Sequence, residues 1–237
     1  MERIFISDLH LDANRENLTL AFTQFLSERC QTIDELYILG DFFELWLGDD
    51  DHSVLNRGVI EALSSLPCDV FIMHGNRDFL IGEAFCDAAG AKMLPDPHPI
   101  ILGNQPALLM HGDSLCTRDE EYMKARNLLR SAAFQRDFLS KQMPERKILA
   151  EQIRGKSQKV SREKAEEIMD VTPEEVIKVM AQAKASVLVH GHTHRPAVHE
   201  VDLHFGAGTR YVLGDWHTSM QFLKATDSDL QLVKYVF

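Results

Sequence analysis

Apolar residues along this chain gather in short runs, and five of the runs break off into Asp, Asn or His. Ile4 to Ile6 leads into Ser7-Asp8-Leu9-His10, Leu36 to Leu39 into Gly40-Asp41, and Val70 to Met73 into His74-Gly75-Asn76-Arg77-Asp78. Ala107 to Met110 leads into His111-Gly112-Asp113, and Val187 to Val189 into His190-Gly191-His192-Thr193-His194. A short apolar run bounded by polar residues predicts a buried strand. Between the runs the period changes. Leu18, Phe22, Phe25 and Leu26 predict a helix over about 16–30, Val54 to Leu63 a second, and Phe79 to Ala89 a short third. Strands alternating with helices imply right-handed crossovers and a largely parallel sheet, with functional loops at the carboxyl ends of its strands.

Pro95, Pro97 and Pro99 interrupt this order. Ile100 to Leu102, the turn Gly103-Asn104 and Pro106 to Met110 then predict a hairpin that brings His111 to the same rim. The longest helix is expected from Glu120 to about Lys141. It carries one apolar stripe of Tyr122, Ala125, Leu129, Ala132 and Leu139 and another of Met123, Phe134 and Phe138. The second stripe either meets neighbouring helices or lines a groove for an apolar ligand. Pro144 restarts a helix to about Gly155, and Ser161 or Arg162 starts one to Met169. Thr172-Pro173-Glu174-Glu175 opens a helix ending near Ala185, with Thr as cap and Pro in the first turn. Closing strands are expected around Pro196 to Glu200, Thr209 to Leu213 and Phe222 to Ala225, with Leu230 to Val236 as an edge strand.

Composition narrows the class. A chain of 237 residues with a 45% hydrophobic fraction fits one large domain, or one domain with an insertion. No run approaches the eighteen or so apolar residues of a membrane span. Met1-Glu2-Arg3 leads straight into the first strand, so no secretory peptide is expected. Cys30, Cys68, Cys86 and Cys116 lack close pairing and read as free thiols of a cytoplasmic protein. The net charge of -11 argues against nucleic acid as a partner. Arg118 to Lys164 nevertheless holds 13 Lys or Arg against 7 Asp or Glu. Such a segment suits a local anionic partner, and equally a solvated helical surface.

The strand-end residues carry the chemistry. Asp8, His10, Asp41, Asn76, His111, His192 and His194 offer oxygen and nitrogen ligands of the kind divalent ions prefer. Seven are too many for one ion and suit two, about 3.5–4 Å apart, with one carboxylate shared. Asp41 arrives alone from what reads as a central strand and is the natural bridge. Together the five runs have the character of a metal-dependent hydrolase.

The motifs Asp8-Leu9-His10, Gly40-Asp41, Gly75-Asn76-Arg77-Asp78, His111-Gly112-Asp113 and Gly191-His192-Thr193-His194 resemble those of the calcineurin-like metallophosphoesterases. The resemblance implies an α/β fold over residues 1–237, a two-sheet sandwich flanked by helices, with a helical cap inserted at 118–170. It implies that Asp8, His10, Asp41 and His194 hold one metal, and that Asp41, Asn76, His111 and His192 hold the other. Many members carry His after the Asn; here that position is Arg77, whose charged fork suits a diphosphate and equally an ion pair with Asp78.

Within that superfamily, Leu36 to Asp50, His74 to Leu80, His111 to Thr117, Ile168 to Val171 and His190 to Glu200 resemble the hydrolases of UDP-2,3-diacylglucosamine in lipid A synthesis. This resemblance spans nearly the whole chain. It implies two Mn2+ per chain and attack of activated water on the alpha phosphorus, giving UMP and 2,3-diacylglucosamine 1-phosphate. It implies a catalytic set of the seven ligands with Arg77. Substrate contacts would fall on Asn76, Arg77, Asp119, Ser157, Lys164 and His192, and on Ser161 where Asn is frequent. The cap would receive the acyl chains. The partners implied are the UDP-linked diacylated glucosamine and an anionic membrane surface, met peripherally on the cytoplasmic face of a bacterial inner membrane, with no obligate protein partner. Asp113 either orients His111 or caps a turn, and His190, Arg195, His199 and His217 carry no assigned role. Two rivals stand beside this reading. One is a phosphodiesterase for small nucleotide sugars or cyclic nucleotides, which would not need the basic insertion. The other is a non-catalytic scaffold, which would not need all seven ligands.

Overall fold

Both faces of the first strands are apolar because both faces are covered. The computed structural model describes residues 1–162 and 170–237, with side chains for 1–155 and 170–237. Strands β1 (Arg3–Ile6), β2 (Glu35–Leu39) and β3 (Asp69–Met73) run parallel, joined by α1 (Glu16–Arg29) and α2 (Val54–Ser64). Ile4, Ile6, Leu36, Ile38, Val70 and Ile72 share one core with Phe22, Phe25, Val59 and Leu63 of the helices. Phe5, Tyr37, Leu39 and Met73 occupy the opposite face and form a second core with the other sheet.

After α3 (Glu83–Ala89), β4 (Ala91–Leu94) adds a further parallel strand. This short strand was not expected; it has only four residues, and Lys92 interrupts its apolar pattern. The second sheet holds β5 (His98–Leu102), β6 (Gln105–Leu109), β7 (Val187–His190), β8 (Ala197–Leu203) and β9 (Gly206–Val212), in the order β5-β6-β7-β9-β8. β5 and β6 form the expected antiparallel hairpin, and β6, β7 and β9 run parallel. Ala107, Leu109, Val187 and Val189 complete the core between the sheets. Leu108, Met110 and Leu188 pack outward with Val176 and Met180 of α7 (Pro173–Ala183). β10 (Ser219–Ala225) and β11 (Leu230–Val236) return antiparallel to the first sheet, ordered β11-β10-β1-β2-β3-β4, so β2 is central and β11 an edge, as expected. The fold is the expected α/β two-sheet sandwich flanked by helices.

The cap departs from the periodicity reading. A single turn at Asp113–Leu115 leads to α4 (Glu120–Leu129), α5 (Ala132–Leu139) and α6 (Met143–Arg162). The one long helix expected over 120–141 is two, because Ser131 turns extended and its hydroxyl accepts the Phe134 N–H at 3.2 Å, capping α5. The second apolar stripe has the same cause. Phe134 and Phe138 belong to α5, where Phe138 is buried. α6 also runs through Gly155 to Arg162 rather than stopping near Gly155. The helix expected to end at Met169 lies largely outside the described residues. Among the described residues no helix is long and apolar enough to cross a membrane.

Candidate metal centre

Beyond β1 and β2 the two loops stay paired. Asp8 N–H donates to Gly40 O, His10 N–H to Asp41 O, Leu11 N–H to Phe42 O and Glu44 N–H to Leu11 O, at 3.0–3.1 Å. The loops hold their ligands in a costly conformation. Asp8, His10, Asp41, His192 and His194 take positive φ of 55°, 51°, 50°, 68° and 56°. A non-glycine residue there costs on the order of 1–3 kcal/mol, and such strain gathers where function needs it. Two glycines permit the close approach. A Cβ on Gly75 would collide with the Asp41 amide and Oδ1, and one on Gly191 with Asp8 Oδ2 and Ser7 Oγ.

The seven expected ligands converge from both sheets in two adjoining groups. The ligand atoms of Asp8, His10 and His194 lie within 4.8 Å of one another, as do those of Asp41, His111 and His192. Asp41 faces both groups. Its Oδ2 is 3.9 Å from His10 Nε2 and its Oδ1 is 3.7 Å from His111 Nε2. Asn76 Oδ1 joins the second group, 3.1 Å from His111 Nε2.

The donor set fits cations. His111 Nδ1 donates to Leu39 O at 2.9 Å, which leaves a lone pair on Nε2 facing the Asn76 oxygen. His10 Nδ1 lies 3.0 Å from Glu44 Oε2, and His194 Nδ1 lies 3.5 Å from Asp215 Oδ2. Their Nε2 atoms then face each other at 3.2 Å. Asp8 Oδ1 is buried without a hydrogen bond, 3.4 Å from His194 Nε2. Lone pairs pointed at one another across such gaps are the arrangement a cation or a proton satisfies, and imidazoles whose Nδ1 faces a carbonyl or carboxylate oxygen are typical of metal ligands.

Charge follows the same plan. Burial opposes ionisation of Asp8, but the nearby His194 imidazole and the charges of His111 and His10 outweigh it and hold the carboxylate well below its ordinary range. Burial would also keep His111 neutral, yet Asp41, Asp113 and Asp8 push it up to about 9. Burial, helped by the charge of His111, takes His192 down to about 3 and keeps it in the neutral, ligating form.

The calcineurin-like phosphoesterase family matches residues 1–196. This chain belongs to that family. Curated relatives extend the match over nearly its full length. The UDP-2,3-diacylglucosamine hydrolase of Marinobacter nauticus is 47% identical over 95% of this chain and 94% of its own. Those of Pseudomonas fluorescens and Tolumonas auensis are 48% and 45% identical over 99% and 98% of this chain, and over 95% and 96% of their own. A phosphoesterase of this family with two such ligand groups is a dinuclear metal-dependent hydrolase.

Around the phosphoesterase centre, the remaining expected residues divide. Arg77 stands at the rim, its Nη1 4.0 Å from Glu44 Oε1. It does not pair with Asp78, which is buried and accepts the N–H groups of Phe42 and Gly75 at 2.7 Å each. Asp119 caps α4 by accepting the Tyr122 N–H at 2.9 Å. The side chains of Ser157, Ser161 and Lys164 lie outside the described residues. The Asp113 carboxylate acts on His111 through its charge, and its hydrogen bonds go to the cap. It is fully buried and receives the Tyr122 hydroxyl at 2.9 Å, Arg126 Nε at 2.7 Å and Arg130 Nη2 at 3.3 Å. Arg130 also donates to Gly75 O at 3.0 Å, so α4 and its end are tied to the loop that carries Asn76. His190 is buried, donates through Nδ1 to Gly191 O and accepts from Arg210 at 3.1 Å; burial and that guanidinium take it down to about 4. His217 and Arg195 pair with Asp215 and Asp170.

Sequence reasoning missed Glu44, Asp215, Arg126, Arg130 and Arg154. Glu44 had a signal, a lone acid inside the apolar stretch Phe42 to Leu47. A cavity of about 650 Å³ opens from Asn76 and Arg77 toward the cap, walled by Trp46, Leu129, Phe134 and Phe138.

Proposed function

We propose that the chain hydrolyses the pyrophosphate bond of UDP-2,3-diacylglucosamine at the alpha phosphorus, giving UMP and 2,3-diacylglucosamine 1-phosphate. The cavity carries this reading. Its volume of about 650 Å³ lies within the roughly 300–1,000 Å³ of ligand pockets, and its walls are aromatic and aliphatic where it meets the cap. A small soluble nucleotide would leave those walls wet; acyl chains would not. The names of the curated relatives support the same substrate.

In this reading Asp8, His10, Asp41 and His194 hold one cation, and Asp41, Asn76, His111 and His192 the other, with manganese as the ion. Bound cations would lower the pKa of a water and neutralise charge on the phosphoryl oxygens. The protein's own share is placement. Arg77 brings a cationic fork to the rim, with its Nε buried and unbonded. Asn76 and His192 would meet both a cation and the diphosphate, and Asp119 lines the same cavity as Asn76. The further contacts expected of Ser157, Ser161 and Lys164 fall on side chains outside the described residues.

The domain spans 1–237, with the cap inserted at 118–170. Leu128 and Ile148 are exposed on α4 and α6 by 63% and 57%, among the basic residues of this segment. They support peripheral attachment to an anionic bilayer, here the cytoplasmic face of a bacterial inner membrane. The test compares turnover of UDP-glucosamine with and without its two acyl chains, with products identified by 31P NMR. A preference of at least tenfold for the acylated form is expected. Equal rates would overturn the lipid reading and leave a small-nucleotide phosphodiesterase.

A further inference from the structure

Glu44 stands between the metal centre and the cap. Its carboxylate is nearly buried on the loop after β2, and its backbone is pinned by the N–H bond to Leu11 O. One oxygen, Oε2, lies 3.0 Å from His10 Nδ1. The other, Oε1, lies 2.7 Å from Arg154 Nη2 on α6 and 4.0 Å from Arg77 Nη1. A single side chain thus spans from a ligand ring to a cap helix. The ring it holds sends its other nitrogen into the first cluster, 3.2 Å from His194 Nε2. A ligand imidazole free to rotate about its own bonds would bind a cation less well, and groups that orient such rings typically contribute 10–100-fold in metal affinity.

We propose that Glu44 is a positioning residue that couples helix α6 to the first cation cluster, fixing the His10 ring and itself fixed by Arg154. The inference rests on the clusters' holding cations and is independent of the substrate. It makes a prediction opposite in sign to simple electrostatics. Arg154 is a positive charge one side chain away from a metal ligand. By Coulomb's law alone, its removal should tighten cation binding. If Arg154 acts by steadying Glu44, its removal should weaken binding instead.

Mn2+ alone is titrated calorimetrically into the metal-stripped full chain, with thermal unfolding of each metal-free variant as a check on folding. Glu44→Ala is expected to weaken one of the two sites by about 10–100-fold. Glu44→Gln, which keeps shape and an acceptor, should fall between it and wild type, and it carries the test should the alanine variant not fold. Arg154→Gln should weaken the same site several-fold, Arg154→Lys should restore part of the loss, and the double variant should be no worse than Glu44→Gln alone, because the two act through one contact. Unchanged Mn2+ affinity in the Glu44 variants, tighter binding in Arg154→Gln, or additive losses would each overturn the coupling. Wild-type protein that takes up no Mn2+ would overturn the metal reading and the coupling with it.

Discussion

His111 illustrates how a side chain here is prepared for its role. Its Nδ1 is committed to Leu39 O, so Nε2 is the nitrogen that titrates, and Asp41, Asp113 and Asp8 hold a proton there up to about 9 despite burial. In the cation-free protein the raised value means that stability from this group is full below its ordinary value near 6.5 and is lost as pH rises through about 9. A cation needs the same lone pair, so uptake near pH 7.5 must expel the proton. We expect Mn2+ binding to release protons, seen as a dependence of the measured heat on buffer ionisation enthalpy, and apparent affinity to fall with each step of acidification from pH 8 to 6. Flat affinity over that range would place the titrating group elsewhere.

Elements differ in how plainly they were written. The strands that end in ligands were legible because sandwiching buries both of their faces. Each therefore reads as an unbroken apolar run, and the change to Asp, Asn or His marks its end. The cap was less legible. Apolar residues over 120–141 satisfy a helical period whether or not the helix breaks, and the break depends on one hydroxyl, that of Ser131. Asp113 stood beside the ligand motif His111-Gly112 and Glu44 was a lone acid in an apolar stretch, but their arginine partners come from helices whose placement only packing decides. That placement is testable. Asp113 is buried among Arg126, Arg130 and Tyr122, and the charges of His111 and Arg130 with the bond from Arg126 hold its carboxylate below the ordinary range against the pull of burial. Its replacement by Asn removes the charge while keeping the shape. Asp113→Asn should raise hydrogen exchange across α4 at least several-fold and cost on the order of 3 kcal/mol, as removal of one partner from a buried ion pair does. Unchanged exchange in α4 would show that the helix is seated by its apolar face alone.

For the whole molecule, the decisive fact is that the ligands come from both layers. Asp8, Asp41 and Asn76 follow strands of one sheet, His111, His192 and His194 strands of the other, and the His192 N–H donates to Asp8 Oδ2 at 2.9 Å across the gap. Cations at this seam bind the folded sandwich and not the open chain. At free Mn2+ about a hundredfold above its dissociation constant, the gain is about 2.7 kcal/mol per site. For a chain of this size that raises Tm by roughly 5–10 °C per site. Scanning calorimetry with and without chelator measures it, and coincident transitions would refute the bridging of the sheets.

The route from β6 to β7 has one more implication. These strands are parallel neighbours, and such a crossover needs only a dozen or so residues, about the size of α7. Everything from Glu120 to Arg162 is therefore a detour beyond what that crossover needs. Selection can lengthen, shorten or repaint that detour to admit a different ligand, while the metal centre stays as it is, provided the new segment still offers Asp113 and Glu44 their basic partners.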